Sequence, residues 1–344
     1  MLSGREAIRS WAPGDTLLRI ASEEPLDDSR RRERRRARER AVQRRRRNAL
    51  FAFAALALIA GIVTGAGAGS SSDGAQPAKA DQPPPPTLPG GGRRILPGRQ
   101  VVALYGAPQD AELGALGIGS PDSAGHKLVR QASAYRARRV KVLPAMELIA
   151  AVVNRDAGDD GKYRTRQTDA VIRRYLRAAR RVKALLILDI QPGRADFPTE
   201  AKAFGKWLKE PDVSLALDPE WRMSPGQIPG QTIGSVDAAE VNSVSRWLSG
   251  VIRRNRLPQK LLVIHQFTGD MVRRRPTLQR PPGVAPVLNV DGFGNQAQKL
   301  AKYRELAQRR LTNGFKLFYK EDTGLFNPGQ VRRLKPAPRF VVYE

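Results

Sequence analysis

Short apolar, β-branched segments alternate with amphipathic helical segments from Val101 to the end of the chain. This alternation is typical of βα units, in which the strands align in parallel and the helices cover the sheet. The segments predicted to be strands are Val101–Tyr105, Lys141–Met146, Leu185–Asp189, Val213–Asp218, Leu261–His265, Val287–Asp291, Phe315–Tyr319 and Phe340–Tyr343. Eight strands within residues 96–344 predict an α/β domain that closes as a (β/α)8 barrel of the TIM type.

The segments between these strands have the apolar spacing of helices. Helices are predicted at Lys127–Arg139, Asp169–Val182, Thr199–Leu208, Ala238–Arg254 and Gln296–Arg309, with a short one near Gln330–Leu334. Gly269–Gly283 contains three prolines and cannot form a full helix. An open doubly wound sheet is the alternative fold. Its nucleotide-binding forms need a glycine-rich turn after the first strand, and Gly106-Ala107-Pro108 does not supply one, so no cofactor is expected.

The N-terminal part of the chain has a different character. Residues 1–47 carry 15 arginines and 8 acidic residues, most of the arginines lying in Arg30–Arg47. The next 21 residues, Ala49–Gly69, are all uncharged and mostly apolar, enough to span the hydrocarbon core of a bilayer. We therefore predict a basic cytoplasmic segment over 1–47, one transmembrane helix over 48–69 and a Pro/Gly/Ser-rich linker over 70–95, followed by the barrel domain over 96–344.

The arginines lie on one side of the apolar segment, so the positive-inside rule predicts a single-pass protein of the cytoplasmic membrane. The N-terminus would be cytoplasmic and the barrel extracytoplasmic. Two alternatives remain: a buried core helix, and a signal peptide cleaved near Ala78-Lys79-Ala80, which has the small-x-small form of a cleavage site.

The net charge of +27 would ordinarily indicate a nucleic-acid partner. Residues 96–344 hold 42 basic and 23 acidic residues, so most of the excess lies in the part predicted to be outside the cytoplasm. The predicted partners are therefore a cell-envelope glycan or anionic wall polymer, the bilayer through one helix, and anionic lipid headgroups through Arg30–Arg47, with no nucleic acid. The alternative is that the charge is spread over solvated helix faces. The chain has no cysteine and only two histidines, which argues against thiol chemistry and against a His-rich metal site, and no metal is predicted.

In an α/β barrel the functional site lies at the C-terminal ends of the strands. Asp218 and Glu220 follow the fourth predicted strand and, two residues apart in extended chain, would point the same way. Such a pair can hold one carboxyl protonated and the other ionised, as glycoside hydrolysis requires. We therefore predict both as catalytic, the alternative being that they cap a strand end. The predicted substrate-binding residues are Glu147, Asp189, Gln191, Trp221, His265, Gln266, Asp291 and Tyr319.

The strand end Leu217-Asp218-Pro219-Glu220, the strand end at Asp291 and the barrel order resemble the sugar-cleaving barrels that include chitinases and Chalaropsis-type muramidases. The resemblance implies that Glu220 protonates the glycosidic oxygen and Asp218 assists, often with the acetamido group of the substrate as nucleophile. The chain departs from the chitinases in lacking the longer Asp-rich motif and the terminal Trp. It departs from the muramidases in having Tyr105-Gly106 where they have an Asp.

Two hypotheses follow from this resemblance and from the predicted topology. The first is a membrane-anchored extracytoplasmic protein like a glycoside hydrolase, acting on a cell-envelope polysaccharide. The second is a non-catalytic glycan-binding or scaffolding protein that uses the same barrel.

Overall fold

A computed structural model describes residues 83–108, 110–137 and 140–344 of the chain. The predicted transmembrane helix over 48–69 and the arginine-rich segment before it lie outside these residues. Within the described part, no helix has both the length and the apolar character needed to cross a membrane.

Eight parallel strands form a closed barrel, as the sequence predicts. They are β1 Arg99–Gly106, β2 Lys141–Val153, β4 Leu185–Ile190, β5 Val213–Leu217, β7 Lys260–Gln266, β9 Val284–Val290, β10 Thr312–Leu317 and β11 Phe340–Tyr343. Each strand pairs with the next along the chain in that order, and β1 pairs with both β2 and β11, which closes the ring. The open-sheet alternative is therefore excluded.

Three short strands lie outside the barrel: β3 Arg164–Arg166, β6 Val236–Asp237 and β8 Val272–Arg273. β3 pairs antiparallel with the extended end of β2, and β6 pairs with β8. As predicted, the proline-containing segment after β7 makes no full helix. It contains β8 and a single 3-10 turn, Arg275–Thr277.

Six α-helices cover the barrel: α1 Pro121–Ser133, α2 Asp169–Arg181, α3 Phe197–Ala203, α4 Ala238–Arg254, α5 Gln296–Leu306 and α6 Pro328–Arg333. A Ser, Thr, Asp or Asn side chain caps the first turn of each helix by accepting a backbone N–H. The prediction for α4 is confirmed at both ends. Helix α1 begins six residues earlier than predicted because Ser120 caps it and Pro121 occupies its first turn.

Side-chain alternation along the strands divides the core into two layers. Val101, Ala103 and Tyr105 of β1 belong to the barrel interior, whereas Val102 and Leu104 pack under the helices. The same alternation runs through the other strands, as a sheet with a side-chain period of two requires. The residue at the C-terminal end of each strand is therefore directed either into the barrel mouth or toward the helices.

The N-terminal end of the barrel is closed by residues from the end of the predicted linker, over 70–95, and by the first residue of the predicted barrel domain. Leu88, Ile95 and Leu96 are buried with the interior residues of the strands. The Gln259 side-chain oxygen accepts the backbone N–H groups of Ile95 and Leu96, at 2.7 and 2.9 Å. The predicted domain boundary at residue 96 therefore falls within a packed part of the structure.

Candidate functional site

Polar side chains from all eight barrel strands meet at the C-terminal end of the barrel. They occupy or directly follow the inward-facing strand positions, where the apolar interior of the barrel gives way to ionisable groups. The group comprises Tyr105, Glu147, Asp189, Asp218, His265, Asn289, Asp291, Lys316 and Glu344. We call this set the mouth cluster. It contains five carboxyl groups and two basic side chains, so acidic groups outnumber basic groups in the cluster.

A chain of ion pairs crosses the mouth cluster. His265 contacts Glu147 through Nε2 and Asp291 through Nδ1, both at 3.1 Å. Lys316 Nζ then joins Asp291 Oδ2 at 3.1 Å to Glu344 Oε2 at 2.8 Å. The ammonium of Lys316 also lies 3.8 Å from the ring centre of Tyr105, at cation–π distance. These contacts fix the orientation of the imidazole ring inside the barrel.

Asp189 lies on the other side of the cluster and has a different set of partners. The Tyr105 hydroxyl donates to Asp189 Oδ2 at 3.0 Å, and the Gln191 amide donates to the Tyr105 hydroxyl at 3.3 Å. Gln191 also accepts the backbone N–H of Val153 through its side-chain oxygen. The second carboxylate oxygen of Asp189 and Oε2 of Glu147 are buried without a hydrogen-bond partner among the described residues.

Asp218 directly follows β5, and Glu220 lies on the 3-10 turn Pro219–Trp221 that Asp218 precedes, so the predicted extended conformation of this pair is wrong. Asp218 is buried and Glu220 is partly exposed. The loop after this turn folds back onto it, because Gly234 N donates to the Glu220 carbonyl at 2.7 Å. A Cβ at Gly234 would lie 2.6 Å from that oxygen, so the close return of the loop requires glycine.

The excess of buried carboxyl groups is reflected in their pKa values. Burial raises the pKa of Asp189 to about 6, with a further contribution from Glu147, although His265 opposes the rise. Burial, and then the charge of Asp189, raise the pKa of Asp218 well above its ordinary value. Burial and the charge of Asp189 therefore favour the protonated form of Asp218, which can donate a hydrogen bond.

Within the chain of ion pairs, the pKa values of His265 and Asp291 shift in the directions that favour their charged forms. Burial alone would lower the pKa of His265, but Glu147 and the hydrogen bond to Asp291 raise it well above its ordinary value. Burial would likewise raise the pKa of Asp291, yet Lys316 and His265 hold it well below the usual range. These shifts favour the positively charged forms of His265 and Lys316 and the negatively charged form of Asp291.

The structure brings together Glu147, Asp189, Gln191, Asp218, His265 and Asp291 among the residues predicted for the site. Glu220 lies on the adjoining turn. Trp221 is 7% exposed, which leaves little of its indole ring for contact with a sugar.

Gln266 and Tyr319 were also predicted to bind substrate, and the structure directs both away from the mouth cluster. Gln266 follows inward-facing His265 and so points the other way, where it bonds Thr268 and Arg275. The Tyr319 ring stacks on Tyr343 at 5.2 Å, and its hydroxyl donates to Gln131 of helix α1. The prediction is therefore corrected for these two side chains.

Four residues of the mouth cluster were absent from the predicted site: Tyr105, Asn289, Lys316 and Glu344. Lys316 could have been predicted, because it is the only charged residue of the buried strand β10 and alternates with the apolar residues Phe315 and Leu317. Asn289 lies two positions before Asp291, so the same alternation would have placed it inside the barrel.

The arginines Arg273, Arg274 and Arg275 lie on the loop after β7 and have partners within the chain. Arg274 forms an ion pair with Asp237, and Arg275 donates to Gln266 at 3.1 Å. Arg273 donates to Ser235 at 2.6 Å. These contacts tie the loop to the region after β5, so the run has a structural role.

One group in the mouth cluster has the composition of a metal site. Glu147, Asp189 and His265 each offer a ligand atom, and these atoms lie within 4.8 Å of one another.

No family model matches the chain, and no curated protein sequence is similar to it. Solved structures that resemble the chain include cellulose synthase subunit Z (CcsZ) from Clostridioides difficile, with 8% identity and a TM-score of 0.36 over 72% of this chain and 91% of that one. A GH5-4 broad-specificity endoglucanase from Clostridium cellulovorans has 12% identity and a TM-score of 0.38 over 72% and 84%. A sialic acid aldolase from Ruminococcus gnavus has 11% identity and a TM-score of 0.34 over 72% and 68%.

Proposed function

We propose that the barrel is a glycoside hydrolase whose cleavage site lies at Asp218 and Glu220. The observation that carries the proposal is the position of these two carboxyl groups, at the end of β5 and on the turn that follows it, at the C-terminal mouth of the barrel and beside buried Asp189. Glycoside hydrolases of most families need a proton donor and a second carboxyl group on either side of the scissile bond. The mouth cluster offers several carboxyl groups at one end of a rigid scaffold.

Glu220 is the proposed proton donor, because it is the partly exposed member of the pair and lies on the turn directly after β5. Its proton passes to the glycosidic oxygen as the bond from that oxygen to the anomeric carbon breaks. Water, or an acetamido oxygen of the sugar, then forms the new bond to the anomeric carbon. Asp218 would assist through a hydrogen bond to the substrate or to Glu220, and buried Asp189 beside it is a further carboxyl group that can be ionised at neutral pH.

The proposed substrate is a cell-envelope polysaccharide, met by an enzyme anchored in the cytoplasmic membrane through residues 48–69. The basic excess of residues 96–344 favours contact with an anionic wall polymer, since such a charge concentrates polyanions near the surface. Arg30–Arg47 would meet anionic lipid headgroups on the cytoplasmic side.

The test uses the full-length chain with peptidoglycan and wall-polysaccharide fragments, and it measures released reducing ends. We expect Glu220→Gln to lower the cleavage rate by about 100- to 10,000-fold, because glutamine keeps the shape of the side chain but cannot donate the proton. Fragment binding should be nearly unchanged. Asp218→Asn should also slow cleavage.

Glu210→Gln is the matched control, since Glu210 pairs with Arg180 on the surface just before β5, away from the mouth. This variant should cleave like the wild type. If the wild-type chain binds the fragments but releases no reducing ends, the barrel is a glycan-binding protein instead. If Glu220→Gln unfolds the chain, the carboxyl group is a structural cap.

A further inference from the structure

Glu147, Asp189 and His265 come from three strands and are 0–1% exposed. Each occupies an inward-facing position, on β2, β4 and β7 respectively. Their potential ligand atoms, one nitrogen and two carboxylate oxygens, lie within 4.8 Å of one another. That spacing allows one cation to contact all three, at the roughly 2.0–2.2 Å typical of zinc–nitrogen and zinc–carboxylate bonds, with small side-chain adjustments.

One ring nitrogen of His265 contacts a carboxylate, as is usual for histidines that bind a metal in proteins. This nitrogen, Nδ1, lies 3.1 Å from Asp291 Oδ2 and 3.2 Å from the Asn289 side-chain amide. A carboxylate on one ring nitrogen fixes the ring orientation and leaves the other nitrogen for a ligand. Here the other nitrogen, Nε2, faces Glu147.

Two buried oxygens of the same group lack a partner. Glu147 Oε2 and Asp189 Oδ1 have no hydrogen bond among the described residues, although each is inaccessible to solvent. An unpaired buried carboxylate oxygen is costly, and a cation bound between the two would compensate for that cost. The second oxygen of each carboxylate is already fixed, by His265 in one case and by Tyr105 in the other.

From these contacts we propose that the barrel mouth binds one divalent transition-metal ion, Zn²⁺ or Mn²⁺, through Glu147, Asp189 and His265. A mixed set of imidazole and carboxylate ligands suits these ions, whereas Mg²⁺ and Ca²⁺ prefer oxygen ligands alone. The ion would occupy the position of any proton on His265 Nε2, because a ligand nitrogen must be deprotonated. Three protein ligands leave coordination positions open for water or a substrate hydroxyl, as in catalytic zinc sites.

Metal binding can be measured without any substrate, so its outcome is separate from that of the cleavage experiment. The full-length chain is stripped with a chelator, dialysed against micromolar Zn²⁺ or Mn²⁺, and analysed for bound metal by mass spectrometry. We expect one ion per chain. Asp189→Asn and Glu147→Gln should each weaken binding at least 10-fold, and His265→Gln should abolish stoichiometric binding.

The control is His126→Gln, which removes the other histidine of the chain from an exposed position on helix α1 and should leave binding unchanged. Asp291→Asn should weaken binding by roughly 10- to 100-fold by loosening the ring of His265, a positioning effect. Circular dichroism identifies variants that fail to fold, and Asp189→Asn, which keeps the side-chain shape, then decides the question.

Co²⁺ binding provides a second measurement of the site, because the visible absorption spectrum of bound Co²⁺ depends on its ligands. A Co²⁺ spectrum that appears in the wild type and disappears in folded Asp189→Asn supports the site. If the wild type retains less than 0.1 ion per chain, or if the folded Asp189→Asn and Glu147→Gln variants retain the wild-type amount, the proposal is wrong.

Discussion

At the scale of single residues, Lys316 determines the electrostatics of the mouth cluster. Its ammonium contacts the carboxylates of Asp291 and Glu344 and lies over the ring of Tyr105. Burial would lower the pKa of Lys316, but the two acidic partners raise it well above its ordinary value. The charge of Lys316 in turn helps to hold the pKa of Asp291 well below its usual range, so this buried carboxylate stays ionised.

Replacing Lys316 with Met should destabilise the fold by about 3–5 kcal/mol, because the change leaves buried carboxylates without a counter-charge. Urea unfolding of the two proteins at neutral pH measures the difference. Lys320→Met is the control. Lys320 is exposed and lies three residues after the end of β10, so its replacement should change the free energy of unfolding by less than about 0.5 kcal/mol. A loss below about 1 kcal/mol for Lys316→Met would show that solvent or rearranged partners compensate for the missing cation.

At the scale of elements, the strands were predictable because each is a short apolar segment bounded by polar or turn residues. Seven of the eight barrel strands differ from their predicted bounds, yet none is missing or misplaced. The direction of the residues at strand ends was harder to predict, since a shift of one position moves a side chain from the mouth to the helix layer. Gln266 and Tyr319 were assigned to the mouth for that reason, while Lys316 was overlooked in a strand that was otherwise correct.

The site also depends on contacts between distant strands, which one sequence does not encode in any local pattern. Glu147 and His265 are 118 positions apart, and Tyr105 and Asp189 are 84 positions apart. Their convergence follows once the barrel and the direction of each side chain are known. The packed segment before β1 escaped prediction because its Pro and Gly content is typical of linkers, although Leu88 and Ile95 fill the barrel floor.

The first residue of β7 gives a prediction about pH. Lys260 is buried, and its Nζ donates to the carbonyl oxygens of Glu210 and Val213, both at 2.6 Å. Burial lowers the pKa of Lys260 to about 7, although Asp212 and Glu210 oppose the shift. A neutral amine has two N–H donors, which match these two acceptors.

In the unfolded chain Lys260 titrates near its ordinary value of about 10.4, so between pH 7 and that value the unfolded state holds more protons. Stability from this group should therefore rise with pH, by about 2 kcal/mol between pH 7 and pH 9, and should level off below about pH 6, where the amine is protonated in both states. Lys260→Met should lack this rise. The measurement is the free energy of unfolding in urea at both pH values, compared between wild type and variant. Parallel pH dependence in the two proteins would contradict the lowered pKa.

At the scale of the whole molecule, charge is distributed unequally between the surface and the mouth. Residues 96–344 carry a net charge of +19, whereas the mouth cluster contains five carboxyl groups and two basic side chains. A basic surface attracts anionic polymers from a distance, over about 10 Å at ordinary salt. Under the proposed function, the acidic mouth would then favour the part of the polymer that offers hydroxyl donors and no negative charge.

The proposed topology gives the last prediction. With Arg30–Arg47 on one side of the uncharged segment 48–69, the barrel and Glu344 should lie outside the cytoplasmic membrane. Protease added to intact spheroplasts should therefore digest the barrel and leave a membrane-bound fragment that contains the arginines. Lysed spheroplasts control for protease access, because there the arginine-rich segment should be cut as well.

A chain with these arginines replaced by Ser or Glu tests the cause, since removing the positive charge before the helix should reduce the fraction with the barrel outside. Release of the intact barrel into the medium, with a new N-terminus after Ala80, would indicate a cleaved signal peptide. Protection of the barrel in intact spheroplasts, with digestion of the N-terminal segment, would reverse the orientation. A barrel on the cytoplasmic side would not meet an envelope polysaccharide, and its basic surface would then be in contact with nucleic acid, the polyanion of that compartment.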